Sequence, residues 1–294
     1  MSEEWKDQKR KENLRIIFWI GIITVLLLLL GVEGTIKNQE EYAKSSADHS
    51  AAQKAAPQKA APQVLNETLG ETLSDEILLT SGDKEFLTRL TQLFDQGDLE
   101  GAARVLNGYE LPWKEFPCVY DGSGMKTEIS SGKKLVFIKP STVFYGDFKA
   151  GKPDGACTAL QVLELEEGKR YDYSYGTWGS GKMNGTGECG YNYYDGVGSG
   201  ITKGNAKKGA FKDDFMQGEI TYTSTNAEGE ATVWQFKVAD GVIVKDARWI
   251  KDTDDSGAVI YKLTAMDDDV HAYTLRESAM GEDRWKNLIV FPYV

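Results

Sequence analysis

The sequence predicts a mainly β protein: an N-terminal transmembrane helix, a small helical hairpin, and then an open antiparallel β meander built of hairpins. Three observations predict it. Ile16 to Val32 is a run of seventeen uncharged residues. Asp83 to Asn107 places its apolar residues at helical spacing, and from about Lys126 that period drops to two.

The run Ile16–Val32 reads IIFWIGIITVLLLLLGV. As a helix it spans roughly 26 Å, close to the ~30 Å hydrocarbon core of a bilayer. Arg15 can snorkel to the headgroups and lengthen that span. Residues 1–15 carry Lys6, Lys9, Arg10, Lys11 and Arg15, against Lys37 and Lys44 just beyond the run. The positive-inside rule then leaves the N-terminus in the cytoplasm and places the remainder outside, as a single-pass plasma-membrane protein. Gly31-Val32-Glu33-Gly34 is a poor cleavage site, which favours an uncleaved signal-anchor over a removed signal peptide. The net charge of −11 argues against nucleic acid, anionic lipid or teichoic-type polymers as main partners. Cys118, Cys157 and Cys189 form no CxxC motif; three buried thiols, or one pair and one free thiol, both fit.

Residues 33–74 read as a spacer. They contain the tandem repeat Gln53-Lys-Ala-Ala-Pro57, Gln58-Lys-Ala-Ala-Pro62, whose residues bury too little apolar area to offset ordering entropy. As flexible coil this stretch has an end-to-end distance of roughly 35 Å. Residues 75–110 read as a helical hairpin. Asp83 is placed to cap the first helix, and Phe86, Leu87, Leu90, Leu93 and Phe94 share one face. Gly97 ends that helix, Asp98 caps the second, and Gly108 closes it after Leu99, Ala102, Ala103, Val105 and Leu106. The pair superficially resembles one tetratricopeptide unit. A lone unit cannot bury its own face, so it is expected to pack on the domain that follows.

Residues 111–294 read as short alternating runs separated by turn residues, the mark of an antiparallel meander. Turn chemistry appears at Lys152-Pro-Asp-Gly155, Glu166-Glu-Gly168, Asn184-Gly185 and Asp240-Gly241. The last run, Leu288–Val294, reads as a final strand. One pattern recurs: Gly146-x-Phe148-x-x-Gly151-x-x-x-Gly155, then Gly176-x-Trp178-x-x-Gly181-x-x-x-Gly185, then Gly209-x-Phe211-x-x-Asp214-x-x-x-Gly218. Trp234-x-Phe236 leading to Asp240-Gly241 is a weaker fourth copy. Tight connections need positive φ, which Gly, Asn or Asp supply cheaply, and the Gly two before each ring leaves room for close approach.

This pattern resembles MORN repeats, Tyr-x-Gly-x-Trp-x-x-Gly-x-x-x-Gly-x-Gly, over about residues 144–241. Phe144 and Ser174 stand where the family has Tyr. The aromatic positions are 30 and 33 residues apart, longer than the family's period of roughly 23. The resemblance implies an elongated open sheet with a scaffold or membrane-proximal interaction role, and no catalysis.

Tyr171, Tyr173 and Tyr175 alternate along one run, and Tyr191 and Tyr193 along the next, with Tyr194 opposite. Such a ladder could stack on sugar rings or on a partner's apolar patch; cross-strand pairing that simply holds the sheet accounts for it better. Asp252-Thr-Asp254-Asp255-Ser256-Gly257 opens like a calcium loop, but position twelve is Leu263, so a hairpin turn explains it better. Asp267-Asp268-Asp269 reads as a solvated turn. His49 falls in the spacer and His271 in a late strand; a Cys/His pair using His271 is the one nucleophilic arrangement to test. No GxSxG, P-loop or HExxH motif is present, and no cofactor or metal site is expected. Asn66 and Asn184 head glycosylation sequons, the second better read as a turn. The expectation is a non-enzymatic tethered scaffold or protein-recognition module at the cell envelope; the alternative is an envelope-glycan-binding module using the tyrosine ladder.

Overall fold

The computed structural model describes residues 76–196, 202–266, 268–279, 281–282 and 285–294. The run Ile16–Val32, its flanking tail, the 33–74 spacer, His49, Asn66 and Asp267 lie outside the described residues. A two-residue strand, β1 (Glu76–Ile77), leads into α1 (Ser81–Gln96) and α2 (Leu99–Asn107). The cap of α1 is Thr80, not Asp83. Thr80 Oγ1 accepts from the Asp83 N–H (3.1 Å) while Asp83 Oδ2 accepts from the Thr80 N–H (2.7 Å), a capping box that starts the helix three residues earlier. Gly97 ends α1 in the left-handed region (φ 72°), and Asp98 caps α2 by accepting from the Gly101 N–H.

The strands that follow are β2 (Cys118–Tyr120), β3 (Met125–Lys126), β4 (Gly132–Lys139), β5 (Thr142–Lys149), β6 (Lys152–Leu165), β7 (Gly168–Gly179), β8 (Lys182–Asp195), β9 (Gly204–Lys212), β10 (Phe215–Thr225), β11 (Ala231–Ala239) and β12 (Val242–Val244). With β1 they form a twelve-stranded sheet in the order β1-β3-β2-β4, then β5 to β12 in sequence, every pairing antiparallel. The sheet is an open meander of hairpins whose edge strands, β1 and β12, are two and three residues long. A second, three-stranded sheet comprises β13 (Ile250–Thr253), β14 (Val259–Thr264) and β15 (Ala272–Arg276).

The repeated pattern sets the hairpins. Their connections are Ala150–Gly151 (φ 49° and 80°), Ser180–Gly181 (52° and 90°), Asp213–Asp214 (52° and 72°) and Asp240–Gly241 (47° and 77°). Two consecutive positive φ values give the connection that matches right-handed strand twist. Beyond each of the first three turns the register slips identically. Gly146 to Phe148 faces Cys157 to Pro153, Gly176 to Trp178 faces Gly187 to Met183, and Ala210 to Lys208 faces Gln217 to Thr221. The longer arm bulges at Gly155, Gly185 and Gly218, all at positive φ. Lys152–Gly155 and Asn184-Gly185 are therefore not turns as their composition suggests: they lie inside β6 and β8, where glycine serves the bulge. At Gly176 (φ 143°) a Cβ would overlap the Thr186 carbonyl oxygen and the Gly187 backbone, so β7 and β8 approach closely only because both residues are glycine. Gly209 has no positive φ; a Cβ there would meet Ile220, so it supplies space alone.

Alternation sends neighbouring residues to two cores. On β4, Leu135 and Phe137 join Leu87, Leu90, Leu93 and Leu106 under the helical hairpin, while Val136 faces the opposite side. That second side carries the repeat rings Phe148, Trp178, Phe211 and Phe236. It is covered by Leu263 and Leu275 of the smaller sheet and by Trp285, Ile289 and Phe291. Leu288–Val294 is thus not a strand. Its alternation comes from anchors buried into the aromatic side, a strap across the hairpins rather than a rung beside them.

Candidate functional site

The tyrosines of β7 and β8 divide between the two sides of the sheet. Tyr171 and Tyr173 stand opposite Asn192 and Gly190, whereas Tyr193 and Tyr191 stand opposite Arg170 and Asp172. Directly opposed residues share a face. Tyr171, Tyr173 and Tyr175 therefore lie on the helix side, and Tyr191 and Tyr193 on the aromatic side. Tyr171 and Tyr173 are buried at 6% and 5% exposure within the hairpin core, and Tyr193 is buried at 6%; Tyr175 is 38% exposed. Hairpin register, which fixes the parity between neighbouring strands, decides this split.

Tyr175 stacks on Tyr173 (centroids 6.0 Å, 15°), and the Tyr173 hydroxyl donates to Glu188 Oε1 at 2.9 Å. Burial, then a hydrogen bond to Glu188, pushes the Tyr175 phenol up to about 12. Across from this stack, Phe94 of α1 stacks on Tyr145 of β5 (5.3 Å, 22°). Between the two stacks runs a groove of about 500 Å³, lined by Phe94, Asp95, Lys133, Tyr145, Thr158, Tyr175 and Thr177, with Gly146, Ala156, Cys157 and Gly176 completing it. Asp95 Oδ1 accepts from Lys133 Nζ (2.7 Å) and from the Tyr145 hydroxyl (2.6 Å); Oδ2 takes no part in either bond. Lys133 Nζ also sits 4.7 Å over the Tyr145 ring.

The hydrogen bonds from Lys133 and Tyr145 hold the Asp95 carboxyl below its ordinary range. A carboxylate depressed in this way stabilises the fold above its unfolded value of about 3.9, and that contribution is lost as pH falls through the depressed value. The pair is half exposed, so it contributes under about 1 kcal/mol. Asp95→Asn is expected to lower urea-unfolding stability by no more than about 1 kcal/mol at pH 7, with the difference shrinking below pH ~4.

On the aromatic side Arg170 lies over the Tyr191 ring (4.6 Å) and near Tyr193 (5.8 Å), and pairs with Asp172 at 2.9 Å. Burial raises the Asp172 carboxyl against the pull of Arg170, and burial lowers Lys207 on β9, two strands away. Below these, Asp214 and Asn287 form a buried polar knot. Asp214 Oδ1 accepts from the Met183 N–H (2.9 Å) and from Asn287 Nδ2 (2.8 Å), and Asn287 Oδ1 accepts from Ser174 Oγ. The Asp214 carbonyl accepts from the Asn287 N–H at 2.8 Å. The Asp that stands for Gly in the third repeat copy thus ties the C-terminal strap to the hairpins, alongside the bond from the Met216 N–H to the Trp285 carbonyl at 2.9 Å.

Asp254 serves its own turn, accepting from Ser256 and the Ala258 N–H and pairing with Arg276 at 3.1 Å. His271 is exposed and pairs with Asp268, while Cys118, Cys157 and Cys189 are free thiols buried in the two cores. Burial pushes the Cys118 and Cys189 thiols up to about 11, away from the thiolate form. The groove residues Phe94, Asp95, Lys133 and Tyr145 come from three separate elements, and no local spacing announces them. Asp214 did leave a signal: it departs from an otherwise regular glycine position. No protein-family model matches the chain. No curated protein matches it either.

Proposed function

We propose that the chain is a non-enzymatic recognition module, built of MORN-like hairpins and tethered through Ile16–Val32 to the outer side of a plasma membrane, that binds a protein partner. The basic tail before the apolar run and the polar spacer after it support the tethering. The shared turn, bulge and buried ring in three successive hairpins support the MORN-like reading.

The observation that carries the partner-binding reading is the difference between the two sides of β8–β11. The aromatic side is closed by the strap and the smaller sheet. The other side presents exposed Thr186, Lys208, Ala210, Glu219 and Lys237 on four paired strands. Small side chains and both signs of charge on an open ladder suit a macromolecular surface better than a small molecule.

The test is a photo-crosslinking residue at Thr186 or Ala210 of the full-length chain in its host membrane, with Ser256 on the β13–β14 turn as control. Adducts of one defined mass from the first two positions, absent from the third and weakened by Lys208→Glu, are expected. Adducts from Ser256 in equal yield, or none from any position, overturn the proposal.

A further inference from the structure

The groove beside Tyr175 lies on β4–β7 and α1, on the same side of the sheet as the partner-binding face on β8–β11 and next to it, and its chemistry differs. We propose that it is a binding site for a neutral saccharide chain, with the Tyr175 ring as stacking platform and Asp95 and Lys133 reading the sugar hydroxyls.

Four features carry this. First, an aromatic ring at 38% exposure is held in place by its stack on Tyr173, which is itself buried and tied to Glu188. A ring fixed before binding loses little rotamer freedom when a flat C–H face of a sugar settles on it. Second, the groove combines this ring with hydrogen-bonding groups of both kinds: the Lys133 ammonium, the Asp95 carboxylate with Oδ2 outside its two internal bonds, and the Thr158 and Thr177 side chains. Neighbouring hydroxyls of a saccharide ask for just such alternating donors and acceptors. Third, Asp95 and Lys133 offset each other, and the whole chain carries −11, so a polyanionic glycan is disfavoured and a neutral one is not. Fourth, a groove of about 500 Å³ lies within the range of small-ligand sites, which gives room for saccharide units.

The experiment uses the full-length chain in nanodiscs, titrated with chitotetraose, cellotetraose and maltotetraose and followed by saturation-transfer NMR. At least one of the three is expected to bind. Tyr175→Ala is expected to weaken it about tenfold, the scale of one lost ring contact. Tyr175→Phe, which keeps the ring, should stay within about threefold of the parent. Lys237→Glu, on the far strand of the partner-binding face, should leave saccharide binding unchanged. Because Tyr175 is exposed, its alanine variant should keep the parent's circular dichroism spectrum. No binding by any of the three sugars, or equal binding by the parent and Tyr175→Ala, overturns the proposal. So does loss of sugar binding in Lys237→Glu with Tyr175→Ala silent, which would move the sugar to the partner-binding strands. The crosslinking result at Thr186 and Ala210 does not depend on any of these outcomes.

Discussion

Trp178→Ala is expected to lower the unfolding free energy by about 3–5 kcal/mol, the cost of deleting a buried indole and leaving a cavity. Trp178 is 2% exposed, meets Phe144 edge-on at 5.6 Å, and donates its Nε1–H to the Cys157 carbonyl at 2.9 Å. It belongs to the same core as the strap residue Phe291, which packs on Phe144 at 5.1 Å. Removing the indole therefore loosens a hairpin and its cover together. Trp178→Phe keeps most of the ring and loses the hydrogen bond, leaving a buried carbonyl short of a donor at a cost of about 1–3 kcal/mol. For a domain of this size the alanine variant should melt roughly 6–20 °C below the parent. Calorimetry on both variants checks the order; an alanine variant within about 1 kcal/mol of the parent would mean that the ring is not in the core.

Asp214→Gly makes the third copy agree with the repeat pattern, and it is expected to destabilise the protein by about 2–4 kcal/mol. Two effects oppose each other. Glycine relieves a non-glycine residue at φ 72°, a gain of roughly 1–2 kcal/mol. It also deprives the Met183 N–H and the Asn287 Nδ2–H of a buried acceptor, at about 1–3 kcal/mol each. The second effect wins because both donors are buried and one of them, Asn287, is a strap residue. Asp214→Asn keeps an Oδ1 acceptor and tolerates the left-handed conformation, so it should lie within about 1 kcal/mol of the parent. Urea denaturation of the two variants separates the explanations: a glycine variant as stable as the asparagine variant would show that the knot contributes nothing.

The meander was legible because its demands are local. Gly-x-aromatic spacing, alternation and Asp240-Gly241 each report a turn or a rung within a few residues. Where the reading went astray, the deciding constraint was remote. Asn184-Gly185 has the composition of a hairpin turn, yet the bulge opposite Gly176 and Trp178 claims it, and Ser180–Gly181 makes the turn. Leu288–Val294 alternates like a strand, but alternation reports only which side is buried, not what covers it. The division of the tyrosines was hidden because parity across β7 and β8 depends on the turn and bulge between them. The groove assembles Phe94 with Tyr175 from distant positions, and only the packing of α1 on the sheet brings them together.

A meander this long is also a template on which further strands could add, and the outermost strands decide whether they do. Among the described residues β1 spans two residues and β12 three, so each outermost strand offers a neighbour only a bond or two before its own ladder stops. Outermost strands this short are poor templates for a further chain, which disfavours edge-to-edge zippering of crowded copies.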